Sequence, residues 1–301
     1  MTGRSGRPRP DGSPAGRLFV VATPIGNLGD VTLRALEVLR SVPLVAAEDT
    51  RISRRLLDRY ELRVRTVSFH ARNAATRLPE LLDHLRTGAD LALVTDAGTP
   101  GVSDPGDELV RAWVAEGGVV VPLPGASAVL AAIVASGVSG PRWSFEGFLP
   151  RSGRERRERL ARIAADDRAT VVFEAPSRVA GTLADLGSAC GADRRAAVCR
   201  ELTKLHEEIV RGTLGELADR AQSGDLTLRG EFAIVVGESV RAGGSSRAGE
   251  PAAASLETAR AQVETLVASG VARSEAAKRV ADATGLRRRQ LYEVARTSTG
   301  R

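Results

Sequence analysis

Lysine is almost missing from this chain: of 43 basic residues only Lys204 and Lys278 are lysines. Cysteine is as rare. An isolated pair such as Cys190 and Cys199 reads as two reduced core thiols, which excludes a disulfide-built scaffold. The three histidines, His70, His84 and His206, lack metal-ligand spacing, so no metal site is expected. No apolar run approaches the roughly 20 residues of a membrane helix, and Met1 to Arg17 has no apolar signal-peptide core. A cytoplasmic protein without a membrane partner is expected. Two phosphate-binding signatures are also missing, GxxxxGK[ST] and GxGxxG, which excludes the commonest nucleoside triphosphate and dinucleotide sites.

What is present is a core and a set of turns. With 301 residues, 43% hydrophobic and 27% charged, the chain buries a sizeable core and its length suggests about two domains. Three Gly/Pro-dense turns each follow a short apolar run: VVATPIGNLGD (Val20 to Asp30), LALVTDAGTPGVSDPG (Leu91 to Gly106) and VVVPLPGAS (Val119 to Ser127). Such runs read as buried strands feeding loops at one edge of a sheet, where ligands of α/β proteins sit. The middle turn carries Asp96, Asp104 and Asp107. Carboxylates repel phosphate and suit a ligand with hydroxyls or a positive charge, such as a nucleoside bearing an ammonium or sulfonium group.

Strand and helix alternate along the first half, which predicts a largely parallel sheet. Strands are expected at Leu18 to Ala22, Leu44 to Ala47, Leu91 to Thr95 and Val119 to Leu123, with helices at Ile52 to Tyr60, Asp107 to Glu116 and Ser127 to Ser136. The character changes from Trp143. Arg151 to Arg162 reads as a solvated helix, and strand-like runs at Thr170 to Phe173, Ala196 to Arg200, Glu207 to Gly212 and Phe232 to Val236 outline a second α/β domain. The expected organisation is a disordered basic tail (1–17), an N-terminal α/β domain (18–140), a C-terminal α/β domain (141–240), a linker (241–254) and a basic helical module (255–301), helix-turn-helix-like around Gly285.

The net charge of +6 lies at the ends. Residues 1–17 hold four cations against one carboxylate and residues 255–301 nine against five, leaving thirty against thirty-one between them. Basic arms on a neutral body suit a polyanionic partner, and Arg287, Arg288 and Arg289 are the candidate nucleic-acid contacts of the tail. A helical packing or dimerisation element is the alternative.

The three turns, together with FEGFLPR (Phe145 to Arg151), VVFEAPSR (Val171 to Arg178), RELTKLHEE (Arg200 to Glu208) and GEFAIVVG (Gly230 to Gly237), closely resemble the ribosomal RNA small subunit methyltransferase I family, of the tetrapyrrole-methylase-like superfamily. The resemblance runs in order from Leu18 to Gly237. It implies two α/β domains of the tetrapyrrole methylase type with a cofactor crevice between them, S-adenosylmethionine as cofactor, and 2'-O-methylation of a cytidine ribose in the decoding region of small-subunit rRNA. The implied partners are that rRNA or the assembled 30S subunit, and a second copy of the chain in a homodimer. By the same resemblance the donor is held by Asp96, Ala97, Gly98, Val102, Ser103 and Asp104, by Ala126 and Ser127, and by Leu202 and Ala233. A tetrapyrrole methylase and an inert RNA-binding protein are the rival readings.

A ribose hydroxyl is weakly acidic, so a base or a nearby cation must handle its charge. The string Arg200-Glu201-Leu202-Thr203-Lys204 follows a strand and offers Lys204 and Glu201 for catalysis and Arg200 for RNA; a lysine, unlike an arginine, becomes a base when burial neutralises it. A surface ion pair is the alternative. In Glu48-Asp49-Thr50-Arg51, Asp49 is a candidate for the acceptor hydroxyl and Arg51 for phosphate, against a plain helix cap. By the family resemblance Glu174, Ser177 and Arg178 lie at the site edge, Arg178 as an RNA contact, while capping by Ser177 explains part of the string equally well.

Overall fold

The computed structural model describes residues 15–101, 106–239 and 253–284, and Leu291. Residues up to Val240 group into one compact unit and those from Arg241 into a second.

The first unit opens with a parallel sheet of β1 (Arg17–Val21), β2 (Leu44–Ala47), β3 (Arg65–Ser68), β4 (Leu91–Val94) and β5 (Val119–Leu123), in the order β3-β2-β4-β1-β5. Side-chain alternation builds both faces. Ala92 and Val94 of β4 pack with Val45 and Ala47 of β2 under α1 (Leu33–Ser41) and α2 (Thr50–Arg59). Leu91 and Leu93 pack with Leu44 and Ala46 under α3 (Ala74–Arg86) and α4 (Gly106–Ala115). The connections after the neighbouring strands β1 and β4 leave in opposite directions, to β2 and to β5, which opens a crevice beyond their carboxyl ends. Helix starts follow local chemistry: Thr32, Asp49 and Ser127 each accept an amide hydrogen bond from the first turn they precede. The short edge strand β3 is not among the strands expected from sequence, because its RTVS has no buried residue.

After β5 comes α5 (Ala128–Ser136). It follows the first sheet in sequence yet packs on the second, where Val129, Ala132 and Ile133 meet Val171, Cys199, Ala233 and Val235. The second sheet comprises β6 (Trp143–Phe148), β7 (Ala169–Glu174), β8 (Arg195–Arg200), β9 (Glu208–Thr213) and β10 (Phe232–Val236), ordered β6-β7-β10-β8-β9. Only β6 and β7 pair in parallel; the other neighbours are antiparallel. Its far face packs under α6 (Gly153–Ala165), α7 (Val179–Cys190) and α8 (Leu214–Ser223).

The expected solvated helix is a half-truth. Leu160 and Ile163 of α6 are buried, and so is Arg156, which spends its guanidinium on Thr182, Asp185 and the Pro150 carbonyl. A charge run reads as solvated until a long-range acceptor set buries one member.

The second unit contains α9 (Ala253–Ala268) and α10 (Arg273–Thr284), which enclose Ala259, Val263, Ala276, Ala277 and Val280 with Leu291. Gly285, Arg287, Arg288 and Arg289, the tail 1–14 and most of the expected linker lie outside the described residues. No helix among the described residues is long and apolar enough to cross a membrane.

Candidate functional site

The three turns meet. Beyond β1, the Thr23 amide donates to the Gly98 carbonyl at 2.8 Å and the Gly98 amide to the Thr23 carbonyl at 3.0 Å. The Thr23 hydroxyl donates to the Thr95 carbonyl at 3.0 Å and the Thr99 hydroxyl to the Ala126 carbonyl at 3.3 Å, which joins the third turn. Gly98 makes its bridge at φ +82°, where a side chain is strained. The end of β2 adds Glu48: one carboxylate oxygen accepts from the Thr95 hydroxyl at 2.6 Å and the Asp96 amide at 3.2 Å, while the Asp49 amide donates to Asp96 at 2.9 Å.

These loops and the second sheet enclose a cavity of about 520 Å³, within the range of small-molecule sites. Asp96, Ala97, Gly98, Ser127, Leu202 and Ala233 of the expected cofactor set line it. Ala126 reaches it only through the Thr99 bond, and Val102, Ser103 and Asp104 lie outside the described residues. Four carboxylate residues, Glu48, Asp96, Glu174 and Glu231, belong to the lining, and among the described lining residues there is no lysine, arginine or histidine. Burial, with Glu48 and Asp49 close by, holds Asp96 above the usual carboxylate range. Cys199 also lines the wall; burial pushes its thiol up to about 11, so it is an apolar surface and not a nucleophile.

Glu174 is a buried strut. It accepts from the Thr182 hydroxyl at 2.6 Å and the Ala175 amide at 2.9 Å, and pairs with Arg178 at 3.1 Å. Arg178 in turn donates to the Leu149 carbonyl at 2.7 Å, and Arg200 pairs with Glu208 at 3.1 Å. Each of these two expected RNA contacts thus has an acceptor within the fold that the linear sequence does not display.

Lys204 stands beside the cavity, against the first turn. A Cβ on Gly26 would clash with Lys204 Cγ, and the Asn27 amide donates to the Thr203 hydroxyl at 3.2 Å. The ammonium donates to Glu201 at 2.8 Å and Glu231 at 2.9 Å. Burial opposes its charge, but the two carboxylates hold its pKa above the ordinary value, and the Lys204 hydrogen bond holds Glu201 below its own. Lys204 is thus a cation in this arrangement and not the neutral base that burial alone would make of it. The loop is strained, with Glu201 at φ 51° and Thr203 at φ 67°, a feature that collects at functional sites.

Asp49 caps α2: it accepts from the Arg51 amide at 2.8 Å and pairs with the Arg51 guanidinium at 2.6 Å, and that partner lowers it to about 2. The cap alternative describes what the structure contains, and neither residue lines the cavity. Glu231 and Phe148, which do, were not among the sequence candidates. Glu231 immediately precedes β10, a strand-end signal; Phe148 had none beyond its place in FEGFLPR.

The sequence pattern of the tetrapyrrole (corrin/porphyrin) methylases matches residues 17–218. A relative from Synechocystis sp., named ribosomal RNA small subunit methyltransferase I, is 43% identical over 93% of this chain and 97% of its own length. The chain belongs to this methyltransferase family. A relative of the same name from Mycobacterium tuberculosis is 44% identical over 93% of this chain and 94% of its own. Among solved structures, cobalt precorrin-4 methyltransferase, a cobalamin biosynthetic enzyme, superposes with TM-score 0.58 at 20% identity, covering 73% of this chain and 94% of that one. Uroporphyrin-III C-methyltransferase from Thermus thermophilus, complexed with S-adenosylhomocysteine, gives 0.54 at 21% identity, covering 75% and 99%. The family's two-sheet fold is the one described above.

Proposed function

We propose that this chain transfers a methyl group from S-adenosylmethionine to the 2'-hydroxyl of a cytidine ribose in the decoding region of small-subunit rRNA. The observation that carries the reading is the end-to-end likeness to proteins named for rRNA methylation, 43% identical over 93% of the chain. The cavity agrees with the donor. Its lining has four carboxylate residues and, among those described, no cation; Glu174 and Glu231 are paired with Arg178 and Lys204 from outside the lining, so Glu48 and Asp96 are the carboxylates that favour a sulfonium or an ammonium over phosphate.

In this reading Asp96, Gly98, Ser127, Leu202 and Ala233 hold the donor, which supplies a methyl carbon already activated by its sulfonium. The protein's task is to place the acceptor and manage its proton. Lys204, fixed by Glu201 and Glu231, presents a cation to the charge developing on the acceptor oxygen, and Glu231, which reaches the cavity, is the carboxylate placed to take the proton. A homodimer completes the proposal, supported by Leu130 and Val134, which lie one turn apart on α5 with 51% and 80% exposure.

The test is transfer of labelled methyl to small subunits purified from cells lacking the protein, followed by mapping of the modified nucleotide. Label on a decoding-region ribose is the expected result. Donor binding without transfer to any rRNA would overturn the reading in favour of a small-molecule acceptor, and no donor binding would favour an inert RNA-binding protein.

A further inference from the structure

Phe148 is an aromatic ring left 54% exposed on the lining of the donor cavity. Several features hold it there. Along β6 and β7 the register runs Phe145 with Val171, then Gly147 with Val172, then Phe148 with Phe173, so Glu146 is an extra residue. Regular alternation would send residues 145 and 148 to opposite faces; the bulge returns them to the same one. Both rings then meet Phe173 edge to face, Phe145 at 4.9 Å between centroids and Phe148 at 5.8 Å.

The backbone behind the ring is clamped as well. Arg159 donates to the carbonyls of Glu146 and Phe148, Arg178 to that of Leu149 at 2.7 Å and Arg156 to that of Pro150 at 2.9 Å. Three guanidiniums serving one short segment fix the backbone that carries the ring, and Phe173 packs against the ring itself, which reduces the ordering cost of a contact made there.

Resting on the rRNA reading above, we infer that Phe148 is the stacking platform for the base of the nucleotide being methylated, a residue that positions the substrate. Because the candidate donor site lies inside a cavity, the acceptor nucleotide leaves its stack to reach it, and an aromatic face replaces the stacking that is lost. A carboxylate-lined cavity does not draw in the phosphates, so the backbone stays outside it and the base meets the rim. The wall at Gly98 and Ala233 is buried and suits the donor, whereas the solvent-facing ring at Phe148 suits the incoming acceptor.

The experiment compares the full chain with Phe148→Leu, Phe148→Ala and Phe148→Trp in methyl transfer to unmethylated small subunits. S-adenosylhomocysteine affinity is measured by calorimetry, and thermal unfolding verifies folding, which a half-exposed ring should not control. Leucine and alanine are expected to lower kcat/KM for the subunit by about 10- to 100-fold, the value of one base–aromatic stack. Tryptophan should rescue it, with S-adenosylhomocysteine affinity unchanged throughout. Wild-type turnover by Phe148→Leu would overturn the proposal and leave the rRNA reading intact. A loss matched by weaker S-adenosylhomocysteine binding would also overturn it, by assigning the ring to the donor's base. If the wild-type chain methylates no rRNA, the reading beneath it falls first, before any variant is compared.

Discussion

Alanine at position 98 tests whether the bridge between the first two turns holds the donor site. Gly98 sits at φ +82°, and a Cβ there would lie 3.4 Å from Ile25 Cγ2 and 3.7 Å from the Ala126 carbonyl oxygen. Those are ordinary contacts, so the cost is conformational: about 1–2 kcal/mol for an L-residue held in left-handed backbone. In a unit of this size that lowers Tm by about 2–8 °C. The residue has one escape, rotation towards negative φ, which breaks the 2.8 Å and 3.0 Å bonds to Thr23 and moves the wall of the cavity. If the same strain is relieved in this way, S-adenosylhomocysteine affinity falls about 5- to 30-fold. Gly153 is the control: it has φ +88°, and a Cβ there would meet nothing within 4 Å, so Gly153→Ala should lose similar stability and bind as wild type. Differential scanning calorimetry and titration calorimetry on both variants decide. Gly98→Ala with unchanged Tm would refute the strain argument; unchanged affinity beside a lowered Tm would refute the role of the bridge.

Lys204→Met should leave S-adenosylhomocysteine affinity near wild type and lower kcat about 10²- to 10³-fold, the usual loss on removing one preorganised charge stabiliser; single-turnover methyl transfer to small subunits measures it, and full activity would remove Lys204 from the mechanism. Glu174→Gln leaves Arg178 without its carboxylate and should cost about 2–3 kcal/mol in urea unfolding, less than a fully buried pair because Arg178 is 25% exposed. Asp49 is depressed to about 2 from 3.8 by Arg51, so its contribution to stability is present above pH 4 and is lost as pH falls towards 2. The stability difference between wild type and Asp49→Asn, which keeps a capping side chain, should therefore shrink over that range in acid titration followed by circular dichroism, and a constant difference would contradict the pairing of Asp49 with Arg51.

Much of the fold is a local matter. Apolar runs ending in Gly and Pro turn wherever they lie, so β1, β4 and β5 and the loops beyond them are legible from the chain, as are the caps at Asp49 and Ser127. That those loops gather at one sheet edge follows, since a strand end delivers its loop there; which of their residues hold a donor is what the family resemblance implies. What the chain cannot display is who meets whom across long separations. That Lys204 is a cation depends on Glu231, brought to it by β10. That Arg178 and Arg200 are paired within the fold depends on acceptors at Glu174, Leu149 and Glu208. The passage of α5 to the second sheet is likewise decided by packing, because a helix rich in small apolar residues suits either layer.

The sequence by itself determined the family, the parallel first sheet and the three turns that bound the cavity, because periodicity, turn chemistry and motif order act over a few residues at a time. Only the tertiary structure decided the charge of the cavity and the state of Lys204, since hydrogen bonding and burial set both. The bulge that turns Phe148 to the rim likewise arises from the pairing of β6 with β7, a relation between strands and not a property of either one.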